Sequence, residues 1–281
     1  MIPQRDLSLL SNRIAVRGGR RLPESVLERD YCLAWILVGL SRSPLRTRLA
    51  FKGGTALKRC YFGDYRFSED LDFTLTEETS WDEIERGFAA AFAETYLGSG
   101  IVVRLDHVDR NAHENSHTFY LAYDGPLPGG PGKSVKVDVT IRERIVLPLE
   151  DRPVLRGYDE YRDLPGDARV RVYSLDEVAV EKTVALLDRA RNEPRDLYDL
   201  WFLTANGHAR LPDLLGSVVS KLEFRGVMLA AVRGEFAAKE ARLGRLWDVR
   251  LAPQVVELPE FDAVYRAVRR SLRQAGVTVR E

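Results

Sequence analysis

The sequence predicts an α/β (α+β) protein, in which a domain with a mixed sheet is followed by a domain made of helices. Up to about residue 141, short segments with the alternating pattern of strands are interspersed with segments that have helical spacing. From Ser174 onwards the apolar residues follow helical spacing only, with one interruption near Pro253 and Pro259. No internal repeat is visible, which excludes solenoids. We therefore expect two domains, 1–173 and 174–281.

Helix starts and strand alternation define the elements of the first domain. Ser25 with Glu28, and later Ser174 with Glu177, have the spacing of a capping box and predict that a helix begins at each pair. A loop rich in glycine and proline, residues 125–132, predicts a connection between two strands. In chain order, the predicted elements are helix 25–42, strand 49–51, helix 55–62, strand 71–75, helix 81–97 and strands 101–105, 118–123 and 134–141.

Bulk composition restricts the class of protein. The chain has 281 residues, of which 45% are hydrophobic and 30% charged, so it is neither disordered nor fibrous. The formal net charge is zero, so any attraction to nucleic acid must come from a local basic surface. The most apolar stretch, residues 31–40, is too short to cross a bilayer, and no secretory signal is recognisable, so we expect a cytoplasmic protein. Cys32 and Cys60 are too few for a disulfide framework, and we expect both to be reduced and buried.

Two glycines lie between the predicted strand 49–51 and the helix that follows it. Gly53 and Gly54 allow positive φ and let a ligand approach the backbone closely, and a helix N-terminus at Thr55 favours an anion. The sequence Lys52-Gly53-Gly54-Thr55 therefore predicts a phosphate-binding turn. A tight turn with a threonine cap explains the same residues equally well.

Asp70 and Asp72 are two residues apart in the strand that follows. Alternation places both side chains on one face of that strand, while Leu71 and Phe73 face the core. Two carboxylates so close together repel each other unless a divalent cation neutralises them, and hard oxygen ligands suit Mg²⁺ or Mn²⁺. The sequence therefore predicts a metal site at Asp70 and Asp72. A solvated acidic edge is the alternative.

Asp138 lies in a third strand, between Val137 and Val139, and points away from their face. Such a strand can bring a third carboxylate to the same metal, or place a general base beside a reacting hydroxyl. A solvated strand residue is an equally good interpretation of Asp138. Arg66 and Ser68, just before the acidic strand, are weaker candidates for phosphate contacts.

Lys182 lies within an apolar helical stripe of the second domain. A buried ammonium must find an anion, which is either a carboxylate such as Asp199 or a bound phosphate, and we favour the phosphate. Asp199 is the functional candidate of the segment that follows. Asp196, by contrast, is expected to be an ordinary acid of a first helical turn, where it complements the helix dipole.

Two motif-like segments are rejected on context. His113 to His117 has the spacing of a zinc-protease motif, but asparagine and serine interrupt the helix that the motif needs, and a strand follows. Gly132-Lys133-Ser134 resembles the end of a phosphate-binding P-loop, but Leu127 stands where that motif needs a glycine, and again a strand follows.

Taken together, the glycine turn, the acidic strands and the segments around Lys182 and Asp199 resemble the AbiEii/AbiGii family of abortive-infection toxins, over about residues 25–205. The order and chemistry of the blocks agree with that family, and the first two are specific as a pair. The blocks that carry the resemblance are Phe51 to Leu57, Arg66 to Phe73, Val137 to Val139, Glu181-Lys182 and Arg195 to Leu200.

The resemblance implies a nucleotidyltransferase domain of the DNA polymerase β type, with a helical C-terminal domain that completes the active site. It implies the toxin of a bacterial toxin–antitoxin system, like the relatives called MenT toxins, that moves a nucleoside monophosphate from an NTP to an acceptor and needs Mg²⁺ or Mn²⁺. An AbiEi-like antitoxin is the implied partner. The resemblance does not fix the acceptor: tRNA is the favoured one, and the toxin itself or another protein are the alternatives. By motif, Gly54 and Thr55 hold phosphates, Asp70 and Asp72 bind metal, and Lys182 and Asp199 complete the site. The alternative is a catalytically silent protein-binding module of the same fold.

Overall fold

The computed structural model describes residues 1–18, 21–109, 114–129 and 133–279. The chain divides into two compact units. The first contains residues 1–143 and 149–172, and the second contains residues 144–148 and 173–281. The association of residues 144–148 with the second unit is a feature that the sequence analysis does not predict.

A mixed seven-stranded sheet forms the centre of the first unit. Its order is β3-β4-β5-β2-β1-β7-β6. β1 is antiparallel to β2 and parallel to β7, whereas β2 is parallel to β5. β4 is antiparallel to both β3 and β5. The strands are β1 (Leu49–Lys52), β2 (Leu71–Leu75), β3 (Val102–Asp109), β4 (Ser116–Asp124), β5 (Ser134–Thr140), β6 (Leu149–Pro153) and β7 (Arg169–Tyr173).

Helices make up the remainder of both units, which confirms the predicted α/β class. The helices of the first unit are α1 (Gln4–Gly18), α2 (Glu24–Ser41), the short α3 (Gly53–Ala56), which continues into a π-helical turn (Leu57–Tyr61), and α4 (Trp81–Ser99). Those of the second unit are α5 (Leu175–Leu187), α6 (Pro194–Ala205), α7 (Leu215–Phe224), α8 (Leu229–Val232), α9 (Glu235–Ala238), α10 (Glu240–Leu251) and α11 (Phe261–Gln274). Two 3₁₀ turns, Pro44–Thr47 and Leu211–Leu214, complete the described elements.

The core of the first unit lies on one face of this sheet. Phe88 of α4 packs edge-on against Phe119 of β4 and Phe73 of β2, with ring centroids 5.0 and 6.4 Å apart. The hydroxyl of Thr95 in α4 donates to the backbone oxygen of Trp35 in α2, at 3.2 Å. Because side chains alternate along a strand, this packing leaves the opposite face of β1, β2 and β5 to polar residues.

The first predicted capping box is wrong. α2 begins one residue before Ser25, with Pro23 at its N-cap and no side-chain cap. The Glu28 carboxylate is buried and accepts hydrogen bonds from the Leu127 amide and the Lys133 ammonium, both at 2.8 Å. A buried carboxylate needs such partners, and here the partners come from the loop between β4 and β5 rather than from the helix start.

The second capping box is half right. Ser174 caps α5, where its hydroxyl accepts from the Glu177 amide at 3.2 Å. The Glu177 carboxylate turns inward and accepts from the amides of Val146 and Leu147, at 3.1 and 2.8 Å. This side chain therefore fastens residues 144–148 to the second unit.

Several elements differ from the sequence-based expectation. The sequence analysis predicts neither β6 nor β7, which are short and carry charged residues at alternate or adjacent positions. The predicted helix 55–62 begins two residues earlier, at Gly53, and changes to a π-helical turn. The interruption predicted near Pro253 and Pro259 is confirmed, since it separates α10 from α11.

The context that rejects the two motif-like segments is confirmed as far as it is described. β4 begins at Ser116 and β5 at Ser134, so strands stand where the motifs need helices. His113 and Gly132 lie outside the described residues. Cys32 and Cys60 are buried free thiols, as expected. Within the described parts of the chain, no helix has both the length and the apolar character required to cross a membrane.

Candidate active site

The glycine turn lies directly against two side chains of the candidate site. Gly53 has φ +80°, and a Cβ at this position would lie 2.4 Å from Oδ2 of Asp72. A Cβ on Gly54 would lie 2.5 Å from Nη2 of Arg66. The positive φ of Gly53 favours glycine there, and a side chain at either position would have to displace the Asp72 carboxylate or the Arg66 guanidinium.

A row of polar residues crosses four neighbouring strands at this turn. In β-sheet register, Lys52 of β1 is opposite Asp72 of β2, Asp72 is opposite Asp138 of β5, and Asp138 is opposite Thr118 of β4. Residues that are directly opposite each other share one face of a sheet, with neighbouring strands about 4.8 Å apart. The structure thus brings two of the predicted carboxylates, Asp72 and Asp138, side by side.

Asp70 comes just before β2 and is tied to the glycine turn. The hydroxyl of Thr55 donates to the Asp70 backbone oxygen at 2.5 Å. The charge of Asp70 also acts on Lys136, which lies two residues before Asp138 on the same strand. Burial lowers the pKa of Lys136, but the hydrogen bond and charge of Asp138, together with the charge of Asp70, raise it above its ordinary value. Asp70 is thus held to the glycine turn through its backbone, and its charge acts on the lysine that pairs with Asp138.

The Asp138 carboxylate already has two partners. Its Oδ1 accepts from the Thr118 hydroxyl, and its Oδ2 accepts from the Lys136 ammonium at 2.6 Å. The side chain remains 27% exposed, so solvent or a substrate reaches it. Because Lys136 places a positive charge against Oδ2, a second cation at that oxygen would be repelled.

Two carboxylates beside a glycine turn fit a magnesium ion that also binds a triphosphate. Mg²⁺ is held in many sites by one or two carboxylates, with substrate phosphates and water as the other ligands. Among the described residues, no group of three or more His, Cys, Asp or Glu side chains is arranged to hold a metal. Two carboxylates alone would need substrate phosphates and water to complete such a site, and a metal held by Asp70 and Asp72 stays a prediction.

Arg66 and Ser68 are both buried in the segment that leads to β2. The Arg66 guanidinium lies over the Gly54 backbone and donates to the Phe67 carbonyl oxygen at 3.3 Å. Lys52 reaches across the sheet, where its ammonium donates to the Thr140 hydroxyl at 3.1 Å. Of the candidate phosphate-binding residues, Arg66 therefore lies against the glycine turn and Lys52 directly precedes it.

Lys58, which the sequence analysis missed, anchors the same segment. Its ammonium donates to the backbone oxygens of Gly63 and Tyr65, at 3.2 and 3.0 Å, and lies 4.1 Å from the centroid of the Phe67 ring. Burial lowers the pKa of Lys58 to about 8. A lysine on the inner side of the π-helical turn thus holds the chain that carries Arg66.

In the second unit, Lys182 meets carboxylates. Its ammonium lies 2.8 Å from Oδ2 of Asp199 and 2.7 Å from Oδ1 of Asp196. Asp199 is completely buried and Asp196 nearly so. The contact with Asp199 is one of the two partners predicted for Lys182. A phosphate contact of Lys182, and the part of either residue in catalysis, stay predictions.

Asp196 is more than an acid of the first helical turn. It does lie in the first turn of α6, but it also forms ion pairs with Lys182 and Arg191. Burial alone would raise the pKa of Asp196, but the charges of Lys182 and Arg191 outweigh burial and lower the pKa to about 2. The spacing of three residues from Asp199, on the same helical face, was the signal that could have identified it.

A second buried ion pair lies on α5 and α7. The ammonium of Lys221, which is fully buried, contacts Oε1 of Glu177 and lies 3.4 Å from Oε1 of Glu181. Lys221 falls in the apolar stripe of Val218 and Leu222, the same signal that identified Lys182. No motif surrounds Lys221, which is why the predictions from the sequence do not include it.

Comparison with known proteins gives a family match over most of the chain. Residues 35–267 match the model of a family described as nucleotidyl transferase AbiEii toxin, type IV TA system. Among solved structures, the chain is similar to MenT4, the nucleotidyltransferase toxin Rv2826c from Mycobacterium tuberculosis H37Rv. The TM-score is 0.57 at 19% sequence identity, and the match covers 95% of this chain and 89% of that chain. At this identity the likeness concerns the fold. No curated protein sequence matches. The family match extends well past residue 205, where the recognised resemblance ended.

Proposed function

Because the chain belongs to the AbiEii family of nucleotidyltransferase toxins of type IV toxin–antitoxin systems, we propose that it transfers a nucleoside monophosphate from a nucleoside triphosphate to an acceptor hydroxyl. The bond that forms joins the acceptor oxygen to the α-phosphorus. The bond that breaks is the one to the β-phosphate, and pyrophosphate leaves. A tRNA is the proposed acceptor, and an AbiEi-like protein is the proposed antitoxin.

The observation that carries the proposal is the register of Asp72 with Asp138 beside the glycine turn. Asp70 and Asp72 would hold Mg²⁺ or Mn²⁺ together with the triphosphate. The chemistry that such an ion supplies is neutralisation of the phosphates and stabilisation of the entering and leaving oxygens. Gly53 and Gly54 let the Asp72 carboxylate and the Arg66 guanidinium lie close to the turn, where both would meet the triphosphate.

Asp138 is proposed as the group that accepts the proton of the acceptor hydroxyl. Its Oδ1 already accepts a hydrogen bond from a hydroxyl, that of Thr118, and a carboxylate oxygen can accept a second one. Lys136 at Oδ2 opposes the alternative role as third metal ligand, for the electrostatic reason given above. The register of Asp138 with Asp72 supports a base beside the pair that we propose to hold the triphosphate.

The proposal is tested by incubating the purified chain with Mg²⁺, total cellular RNA and each of the four α-labelled nucleoside triphosphates separately. We expect label in RNA and release of pyrophosphate. Asp72→Asn should lower the rate at least about a hundredfold, because loss of the metal site removes several kcal/mol of transition-state stabilisation. Asp106→Asn, which makes the same change at an exposed position of β3, is the matched control and should keep the wild-type rate.

Two outcomes would overturn this function. One is an Asp72→Asn variant that is as active as the wild type. The other is a wild-type chain that labels neither RNA, protein nor itself with any nucleotide while it binds a partner protein, which would establish the catalytically silent binding module instead.

A further inference from the structure

α11 has two faces of opposite character. Val264, Tyr265, Val268 and Leu272 are buried and pack the helix into the second unit. With 3.6 residues per turn, Arg266, Arg270 and Arg273 fall on the opposite side, and all three are exposed. Half-buried Arg269 flanks them. The helix therefore presents a stripe of arginines to solvent, here called the arginine face of α11.

The arginine face lacks the acidic partners that two other arginines of the second unit have. Arg189 pairs with Glu235, at 2.6 Å, and Arg195 pairs with Glu193, at 3.1 Å. Arg266, Arg270 and Arg273, by contrast, form no ion pair with any residue that the structure describes. Asp262, in the first turn, is the acid of α11 on this side. The three charges are therefore available to an external anion.

The geometry of the arginine face suits a chain of phosphates. At a rise of about 1.5 Å per residue, Arg266 and Arg270 are about 6 Å apart along the axis, and Arg273 follows about 4.5 Å later. A guanidinium matches phosphate oxygens bidentately and remains charged at any physiological pH. A chain with zero net charge can attract a polyanion only through such a local surface.

Two alternatives fit the arginine face less well. A protein interface is anchored by aromatic and large apolar side chains, whereas this face has only Ala263 and Gln274 beside its charges. A membrane-surface helix inserts its apolar face into lipid, but the apolar face of α11 is buried in the unit, including Val264 and Leu272.

We propose that the arginine face of α11 binds the phosphate backbone of a nucleic acid, and that it is the surface that holds the RNA acceptor. The second part rests on the proposed function, whereas the first does not. Arg266, Arg270 and Arg273 each contact a phosphate, which fixes the RNA in place without reading its sequence.

The test measures binding of fluorescein-labelled, unfractionated tRNA to the full chain by fluorescence anisotropy, from about 50 to about 200 mM salt. The test variant carries Arg266→Gln, Arg270→Gln and Arg273→Gln. The control variant carries Arg21→Gln, Arg86→Gln and Arg104→Gln, which removes the same charge from exposed positions of the first unit. Thermal unfolding is used to check that both variants fold.

We expect the test variant to bind tRNA about tenfold or more weakly, with a salt dependence of log K shallower by about 2 to 3, because three phosphate contacts are lost. The control variant should bind like the wild type. Unlabelled polyglutamate of matched charge should compete poorly. In the same preparation, nucleotide binding by the test variant should stay unchanged, which separates this proposal from the proposed function.

Three results would overturn the inference. Equal weakening by both variants would mean that only overall charge matters. Effective competition by polyglutamate would show that the arginine face of α11 binds an acidic protein rather than a nucleic acid. A wild-type chain that transfers nucleotides but does not bind tRNA would leave the proposed function intact while removing this surface from it.

Discussion

The polar row of the first unit and the buried ion pairs of the second contain the same chemical groups in opposite surroundings. In the first unit, Asp138 and Lys136 are 27% and 38% exposed and lie on a sheet face that solvent reaches. In the second unit, Lys221 and Glu177 are both 0% exposed. An exposed pair exchanges its partner at little cost, whereas a buried pair cannot lose one member without leaving a bare charge. The difference supports the proposal that the first set takes part in chemistry, and it indicates that the second contributes to stability.

This comparison also changes the interpretation of Lys182. The sequence places it within an apolar stripe, and that position is compatible with either a phosphate or a carboxylate partner. In the structure, Asp196 and Asp199 both neutralise it, in surroundings that resemble those of Lys221. The energetics of burial therefore give Lys182 a structural role whatever part it takes in the reaction.

The largest effect on stability is expected from Lys221→Met. Removal of the ammonium leaves the Glu177 carboxylate buried without its cation, which should lower the free energy of unfolding by about 3–5 kcal/mol. Urea denaturation measures this change. The double variant Lys221→Met with Glu177→Gln should recover part of the loss. Arg210→Met, which removes an exposed ion pair with Asp213, is the control and should cost no more than about 1 kcal/mol. A Lys221→Met variant as stable as that control would break the comparison.

A smaller effect is expected from acid, through Asp196. The folded pKa of Asp196, about 2, lies below its ordinary value of 3.8, so the fold favours the charged carboxylate. Its contribution to stability is complete above about pH 4 and is lost as the pH falls towards about 2, a difference of about 2–3 kcal/mol.

Urea denaturation over this pH range, with the wild type and Asp196→Asn, measures the effect. The difference in unfolding free energy between the two proteins should shrink as the pH falls. A difference that stays constant would show that the Lys182 and Arg191 charges do not hold Asp196 ionised.

The smallest effect on stability, with a large effect on activity, is expected from Asp138→Asn. Because Asp138 is partly exposed and paired at a sheet surface, the free energy of unfolding should change by less than about 1 kcal/mol. Nucleotide transfer should fall at least about a hundredfold, as expected for loss of a general base. Stability and transfer are measured on the same preparation. If Asp138→Asn is strongly destabilised, or fully active, the proposed division between chemistry and stability fails.

How much the sequence could predict depended on the range of the interactions. Alternation along β5 was sufficient to place Asp138 on the polar face, because side-chain direction in a strand is a local property. The two hydrogen-bond partners of Asp138 could not be predicted equally well from the sequence. Lys136, two residues away on the same face, could have been found, whereas Thr118 could not, since it depends on the register of β4 with β5. The Ser25 capping box failed for the same reason, since Glu28 is held by residues about a hundred positions later.

By itself, the sequence determined the α/β class, the glycine turn, the spacing of Asp70 and Asp72 and the location of charged residues within apolar stripes. These features follow from local periodicity and backbone sterics, which a few neighbouring residues fix. Only the tertiary structure decided that Asp72 and Asp138 are opposite each other on the neighbouring strands β2 and β5. The same holds for the burial of Asp196 against Lys182. Strand register and burial are set by contacts between distant segments, because the core is packed by the whole unit.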